Sequence, residues 1–277
     1  MLETERLDAV AIAVPPAAQY KIAKAAMAKG LHVFAEKPLA ANLRQARELA
    51  TIAKKRKIVH AMDFIFPEIP EWAKVKSLID KKTYGSLKHI SVNWDFLSYD
   101  IKNKITSWKT DVARGGGALS FYFSHVLYYL EHYAGKISRI SSTLSYSGES
   151  LNGGDVGVDA LLRFENGVTG YAHACCNARG LKRHQLVFIC QRGTIILENQ
   201  DGLTEGFSTK VYTEKKNEPL LVKQNIRQRN GEDERVGVVK KIAARFIKAS
   251  AAGKQMKPCF TEGLRVQELI EKIRTEK

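Results

Sequence analysis

The segment "DAVAIAVPPAAQYKIAKAAMAKGLHVFAEKPLA" (Asp8–Ala40) carries the clearest structural pattern of the sequence. It opens with a continuous apolar run, Asp8–Val14, which is typical of a parallel strand covered on both faces. Ala17–Gly30 follows with helical spacing and ends at a glycine, a frequent helix stop. Leu31–Glu36 repeats the strand pattern. This order predicts a parallel strand–helix–strand unit.

The same alternation continues downstream. Asn42–Lys57 is predicted to form a second helix with Asn42 as its N-cap, and Ile58–Phe66 a third strand. Three such strands amount to half of a doubly wound α/β fold, which binds its ligands at the carboxyl ends of the strands. "VPP" (Val14–Pro16) and "EKP" (Glu36–Pro38) lie at two such ends and are therefore candidate ligand-binding turns.

A different pattern begins after residue 66. A helix is predicted over Pro70–Lys82, and His89–Phe96 then alternates apolar and polar residues, as in a strand with one buried face. Turn signals at Asn166–Gly167 and near Arg192–Gly193 predict two hairpins. A helix is predicted to begin at or just before Gly117.

Two amphipathic helices, Arg235–Gly253 and Thr261–Lys277, close the sequence. The predicted fold class is therefore α/β plus α+β. Residues 1–66 would form an incomplete Rossmann-type, doubly wound parallel sheet, and residues 67–277 a second domain with a large, mostly antiparallel sheet.

Composition narrows the functional classes. No apolar run approaches the roughly 20 residues that span a bilayer, and the N-terminus does not resemble a signal peptide, so no membrane association is expected. The four cysteines form no CxxC pair and no cluster with histidine, which predicts no metal site and a reduced, cytoplasmic setting. The net charge of +15 is spread along the chain. It is compatible with a solvated surface or with attraction of small anionic ligands, and nucleic acid is not expected as a partner.

Four motifs together resemble the Gfo/Idh/MocA family of NAD(P)-dependent oxidoreductases, which act mainly on sugars, cyclitols and their derivatives. They are Asp8–Ala40, "GGGALSFYFSH" (Gly115–His125), "RFENGV" (Arg163–Val168) and "FTEGLRVQELIEKI" (Phe260–Ile273). The resemblance implies a partial dinucleotide-binding domain over residues 1–66 and a substrate-binding and oligomerisation domain over residues 67–277. It also implies NAD or NADP as cofactor, a sugar-like substrate, and a homo-oligomer (dimer or tetramer) formed through the C-terminal sheet.

The resemblance implies a catalytic role for Lys37. In the family, the EKP lysine reaches toward the nicotinamide and the substrate hydroxyl, and its bond to the proline is commonly cis. A cation suits that place, because negative charge builds on the reacting oxygen as its proton leaves. The alternative is a solvated lysine in the turn that enters a helix.

His125 is the second catalytic residue that the resemblance implies. The family pattern has an aspartate four residues earlier, where the carboxylate orients the imidazole as general base. That position is Phe121 in this sequence, and phenylalanine accepts no proton. His125 would act alone or with Tyr122 or Tyr129, both within helical reach. The alternatives are a ligand-lining histidine and a core histidine in an aromatic helix.

Cofactor and substrate residues are carried over by position. The cofactor-binding set is Val14, Pro15, Pro16, Gln19, Glu36 and Lys37. Gln19 stands where the family often has a histidine, and its amide suits a ribose hydroxyl. The substrate set is Tyr122, Trp108 and Arg114. Arg114 suits a carboxylate or phosphate, although a solvated loop position explains it equally well.

The sequence contains no GxGxxG motif. In the family, this Gly-rich turn and the helix after it hold the cofactor pyrophosphate. The sequence opens at what would be the fourth strand, so we expect a fragment or mis-started gene model of a complete enzyme. A natural truncation and one half of a split protein are the alternatives. The matching alternative function is a family member that binds a sugar-like ligand or a partner without turnover.

Overall fold

A computed structural model describes residues 1–147, 152–215, 217–220 and 231–275. Its first layer is a parallel sheet of three strands in the order β1-β2-β3. The strands are β1 (Ala9–Ile12), β2 (His32–Ala35) and β3 (His60–Met62). Helices α1 (Pro16–Ala28) and α2 (Leu43–Lys55) connect them. The predicted half of a doubly wound fold is confirmed.

The structure can be compared with two predicted element ends, the N-cap of α2 and the end of the third strand. The Asn42 side chain accepts a hydrogen bond from the Gln45 N–H at 3.0 Å, which confirms the predicted N-cap. The third strand is shorter than predicted, because the chain leaves the sheet after Met62 and forms a 3₁₀ turn over Phe66–Glu68. The rings of Phe64 and Phe66 are buried between the two layers instead. A short apolar run cannot distinguish these two kinds of burial.

The second layer is a sheet of eight strands in the order β11-β10-β9-β8-β4-β7-β6-β5. Its strands are β4 (Leu87–Asp95), β5 (Ile137–Ser145), β6 (Gly157–Phe164), β7 (Thr169–Cys175), β8 (Arg183–Cys190), β9 (Gly193–Asn199), β10 (Ser208–Tyr212) and β11 (Asn217–Pro219). Only β4 and β7 pair in parallel among these strands. The predicted, mostly antiparallel sheet and its two hairpins are confirmed.

One face of the large sheet packs on helices α3 (Pro70–Asp80) and α5 (Ser124–Ala134). The Tyr133 hydroxyl joins them by donating to the Trp72 carbonyl at 2.9 Å. A π-helical turn, Leu119–Phe123, leads directly into α5, so the helix predicted from Gly117 begins slightly later and irregularly. A short helix, α4 (Tyr99–Lys102), follows β4. No helix among the described ranges is long and apolar enough to cross a membrane.

The two C-terminal helices return to the first sheet. In α6 (Val236–Ala251), the Phe246 ring lies 5.7 Å from that of Phe34 in β2. In α7 (Phe260–Thr275), the Phe260 ring stacks on His60 of β3 at 4.6 Å. The C-terminal residues therefore cover the parallel sheet, and the predicted domain boundary at residue 66 stays a prediction.

Candidate active site

A cleft of about 1320 Å³ lies where the carboxyl ends of the parallel strands face the large sheet. Three successive strand ends border it: Val14 and Pro15 after β1, Glu36 and Lys37 after β2, and Asp63 after β3. The register places these ends side by side, since Ile12 pairs with Ala35 and Ala35 with Met62. The edge predicted to bind ligands therefore forms one wall of the cleft.

Lys37 is held against the turn that leads into α5. The Lys37–Pro38 bond is cis, as the resemblance implies. The Lys37 Nζ donates to the Phe121 carbonyl at 2.7 Å and lies 3.6 Å from the centre of the Phe121 ring. Burial lowers the pKa of Lys37 to about 8; the charges of Glu36 and Asp63 oppose this shift, and the smaller effects of Lys109 and Arg235 add to it. An amine with this pKa exchanges protons near physiological pH.

Gln19 supports the EKP turn from behind. It is fully buried, and its Nε2 lies 2.6, 3.0 and 3.1 Å from the carbonyl oxygens of Glu36, Pro38 and Leu39. Its side chain does not border the cleft, and neither does that of Pro16, the first residue of α1. The amide predicted to meet a ribose therefore fixes the turn that aims Lys37. Val14 and Pro15 do border the cleft.

His125 borders the cleft from within an aromatic cage. Only 6% of the residue is exposed, and the centres of the Phe66 and Phe64 rings lie 5.1 and 5.9 Å from its own. Burial lowers the pKa of His125 well below its ordinary value, and the charges of Lys37 and His184 act in the same direction. The imidazole is therefore neutral at physiological pH.

The two ring nitrogens of His125 have different surroundings. Nδ1 is buried and has no hydrogen-bond partner within the described part of the chain. A buried N–H without an acceptor is rarer in proteins than an unpaired acceptor, so the ring proton fits best on Nε2, toward the cleft. An imidazolium would leave an Nδ1–H without an acceptor. The geometry therefore favours His125 as a neutral hydrogen-bond donor over the general base that the resemblance implies.

Aromatic side chains form the wall beside these two residues. Tyr122 borders the cleft and lies edge-on to Phe96 at 4.7 Å, and burial raises its pKa above the ordinary value. Trp108 also borders the cleft, edge-on to Phe121 at 5.3 Å. Tyr129 is not a hydrogen-bond partner of His125, because its hydroxyl is hydrogen-bonded to His184 Nε2 at 3.1 Å. Arg114 is exposed and lies outside the cleft lining, so its substrate role stays a prediction.

Several polar residues of the cleft were not predicted from the sequence, among them Asp63, His184 and Arg235. Asp63 is signalled only by its place at the end of the third strand. His184, on β8, stacks on Trp94 at 4.5 Å, and burial lowers its pKa to about 3. Arg235 enters the cleft just before α6. His184 and Arg235 belong to segments far from the recognised motifs, and no local pattern marks them.

Two family models match the chain. "Oxidoreductase family, NAD-binding Rossmann fold" matches residues 1–64, and "GFO/IDH/MocA C-terminal domain" matches residues 72–196. An uncharacterized oxidoreductase of Synechocystis sp. is 34% identical over 52% of this chain and 39% of its own length. Levoglucosan dehydrogenase of Pseudarthrobacter phenanthrenivorans is 27% identical over 76% of this chain and 60% of its own length.

A solved structure agrees with these matches. Levoglucosan dehydrogenase in complex with NADH and levoglucosan superposes with a TM-score of 0.85 at 21% identity, over 99% of this chain and 78% of that one. This likeness concerns the fold. The chain spans between 39% and 60% of the length of the two curated relatives named above. Because the two models together match more than half of the chain, this chain belongs to the GFO/IDH/MocA oxidoreductase family.

Proposed function

We propose that the chain is an NAD(P)-dependent oxidoreductase that transfers hydride to or from a hydroxyl or carbonyl group of a sugar, cyclitol or sugar-nucleotide substrate. The observation that carries this proposal is the position of Lys37. Its ammonium lies 2.7 Å from the Phe121 carbonyl, in a cleft that His125 also borders. Family membership and the similarity to levoglucosan dehydrogenase support a sugar-like substrate.

The strand-end wall fits the nicotinamide half of the cofactor. Val14 and Pro15 offer an exposed apolar surface at the end of β1, and Lys37 places a positive charge at the end of β2. A nicotinamide ring packs on apolar side chains, and the dinucleotide supplies or accepts the hydride. Gln19 keeps this wall in place by fixing the EKP turn.

Lys37 and His125 have different roles at the substrate oxygen. Lys37 gives or takes the proton and stabilises negative charge on that oxygen. The Nε2–H of His125 donates a second hydrogen bond to it. Trp108 and Tyr122 form an apolar wall that suits a sugar ring and excludes water. Turnover of a panel of sugar carbonyls with NADH or NADPH, followed by nicotinamide absorbance, tests this assignment.

Phe121 supports the alternative function, binding of a sugar-like ligand without turnover. Replacing Phe121 by aspartate would place a carboxylate between the Nζ atoms of Lys37 and Lys109, which lie 3.6 and 4.9 Å from the ring centre. We expect the carboxylate to raise the pKa of Lys37 and to move the alkaline limb of the reduction rate upward by about one pH unit or more, without creating the activity.

The decisive comparison for Phe121→Asp is with the parent and with Phe121→Leu, which removes the ring and adds no charge. Activity in Phe121→Asp alone would establish the alternative function for the parent. Turnover by the parent, together with an unshifted limb in Phe121→Leu, is the expected result.

We also propose that copies of the chain associate through the outer face of the large sheet, the face opposite α3 and α5. Leu161 is 64% exposed there, and Ile189 and Tyr212 are 43% and 38% exposed on strands of the same face. A stable dimer or tetramer would cover these side chains. We expect Leu161→Glu to shift the protein toward the monomer in light scattering, with Leu161→Met as the neutral control. A monomeric parent would contradict this assignment.

A further inference from the structure

Two lysines lie on the wall of the cleft that follows β4. Lys102 belongs to α4, Lys109 belongs to the 3₁₀ turn Trp108–Thr110, and both border the cleft. Within the described ranges, neither ammonium group forms an ion pair with a carboxylate. Uncompensated positive charge inside a cleft raises the local concentration of anions. This wall is therefore suited to a ligand that carries a negative charge.

The other cations of the cleft lining differ from these two, because each has a partner on the described part of the chain. The partners are Asp95 for Arg183, Asp233 for Arg235 and Glu232 for Lys240, each at 2.7 Å, the Phe121 carbonyl for Lys37, also at 2.7 Å, and the Asp201 carbonyl for Lys182. The positive charge without a partner thus lies on the segment after β4. The net charge of +15 alone would not predict that position.

The main chain of Lys109 is fixed on both sides. Its N–H donates to Ser107 Oγ at 3.1 Å, and its carbonyl accepts the Gly117 N–H at 2.8 Å. The Ser107 hydroxyl donates in turn to the Asp100 carboxylate in α4, which joins this helix to the 3₁₀ turn. A side chain on a fixed main chain loses less freedom when it binds a ligand. Lys109 is therefore better prepared for binding than a lysine on an open loop.

The ammonium group of Lys109 lies next to the proposed catalytic lysine. Its Nζ is 4.9 Å from the centre of the Phe121 ring, and Lys37 Nζ is 3.6 Å from the same centre. The ring itself carries no negative charge that could compensate either ammonium group. A ligand anion bound at Lys109 would therefore lie close to the oxygen that reacts at Lys37.

We propose that Lys109 binds an oxyanion group of the substrate, a carboxylate or a phosphate, so that the substrate is an anionic sugar derivative and not a neutral sugar. This inference rests on the proposed function and narrows its substrate class. The lysine ammonium is a point charge that donates to either oxyanion. Lys102 adds attraction at an exposed position of the same wall. The sugar ring then packs on Trp108, and the reacting oxygen reaches Lys37.

The first test measures binding without turnover. Trp94 and Trp108 border the cleft, so the tryptophan fluorescence of the full chain should respond to a bound sugar. The probes are neutral hexoses, each compared with its uronate and its 6-phosphate. We expect an anionic derivative to bind about tenfold or more tightly than its neutral parent, with an advantage that decreases as salt is added. The tighter of the two derivatives identifies the group as carboxylate or phosphate. No advantage for any anionic derivative would overturn the inference.

Lysine variants place this preference at one residue. We expect Lys109→Met to raise the Kd of the anionic sugar by about tenfold and to change the Kd of the neutral parent by less than about twofold, whereas Lys109→Arg keeps the preference. Lys102→Met should weaken binding less, because its exposed charge is more strongly screened.

Lys21→Met is the matched control for net charge, since Lys21 is an exposed lysine of α1 outside the cleft lining. It should leave the preference for anionic sugars unchanged. A preference that persists in Lys109→Met, or that falls equally in Lys21→Met, would overturn the inference.

Kinetics with NADH or NADPH separate the inference from the proposed function. Lys109→Met should raise the KM of the anionic substrate by about tenfold with little change in kcat, because Lys109 holds a group that does not react. Turnover of neutral sugars in preference to their anionic derivatives would overturn the inference alone. A parent that turns over no sugar, yet binds anionic sugars through Lys109, would overturn the proposed function and leave the anion site in place.

Discussion

Replacement of Lys37 by methionine is expected to lower kcat by about 10³-fold, because one change removes both a cation and a proton carrier. The Nζ atom lies in the cleft, 2.7 Å from the Phe121 carbonyl, and the alternative donor, His125, has a pKa well below its ordinary value. Among the described residues that border the cleft, no other lysine lies at the carboxyl end of a strand of the parallel sheet. Methionine matches the length of the lysine stem, so packing changes little.

Two further lysine variants show whether the loss of kcat in Lys37→Met comes from the proton carrier at this position. Lys37→Arg keeps the charge but does not release its proton, so it should recover cofactor binding and only part of kcat. Lys24→Met removes an exposed lysine that pairs with Glu48 and should leave the rate unchanged. If Lys37→Met retained parental kcat, with cofactor KM raised, Lys37 would be a binding residue and the proton would move elsewhere.

Replacement of Gly117 by alanine is expected to destabilise the protein by about 2–4 kcal/mol, the second large effect. The Gly117 φ is +95°, and an added Cβ would lie 2.1 Å from Asp155 Oδ1. The other oxygen of Asp155 accepts the Leu119 N–H at 2.6 Å and so holds the first turn of the segment that carries Phe121 and His125. The clash therefore disturbs stability and the site together.

Gly30→Ala is the matched control for Gly117→Ala. Gly30 has a similar φ of +81°, and an added Cβ there would have no neighbour within 4 Å. The control therefore measures the left-handed backbone cost alone, about 1 kcal/mol. Thermal unfolding monitored by circular dichroism should separate the two variants by several degrees. Equal losses of Tm would show that Asp155 moves aside freely and that this support for the site is weak.

Local patterns predicted most of the fold. The alternation of apolar runs and helical segments over residues 8–66 and the period-two strands after residue 86 have direct counterparts in the two sheets. The predicted extent of the third strand was wrong because an apolar residue can be buried either in a strand or in contacts outside it. Phe64 and Phe66 extended the predicted third strand, although they are buried between layers. Contacts between residues far apart in the sequence, such as those of α6 and α7 with the parallel sheet, cannot be predicted from the pattern of a short segment.

The structure brings residues that the sequence assigned to one site to the same cleft, while their catalytic roles stay predictions. Lys37 and His125 border the same cleft, as the resemblance implies. Gln19 was assigned to the cofactor because it stands where the family often has a histidine; its buried amide contacts the carbonyls of the EKP turn, and a contact with the cofactor stays a prediction. Burial lowers the pKa of His125, and burial together with the nearby charge of Glu36 raises the pKa of Asp63. Such properties arise from three-dimensional burial and not from spacing in the sequence.

Hydride transfer itself is the most direct test of the proposed role of Lys37. The protein and Lys37→Met would each be mixed with NADH or NADPH that carries deuterium at the transferred position, together with a panel of sugar carbonyls, and the products examined by mass spectrometry. We expect deuterium in the product of the parent and a rate about 10³-fold lower in the variant. Sugar binding by the parent without deuterium in any product would contradict the oxidoreductase assignment and favour a binding protein.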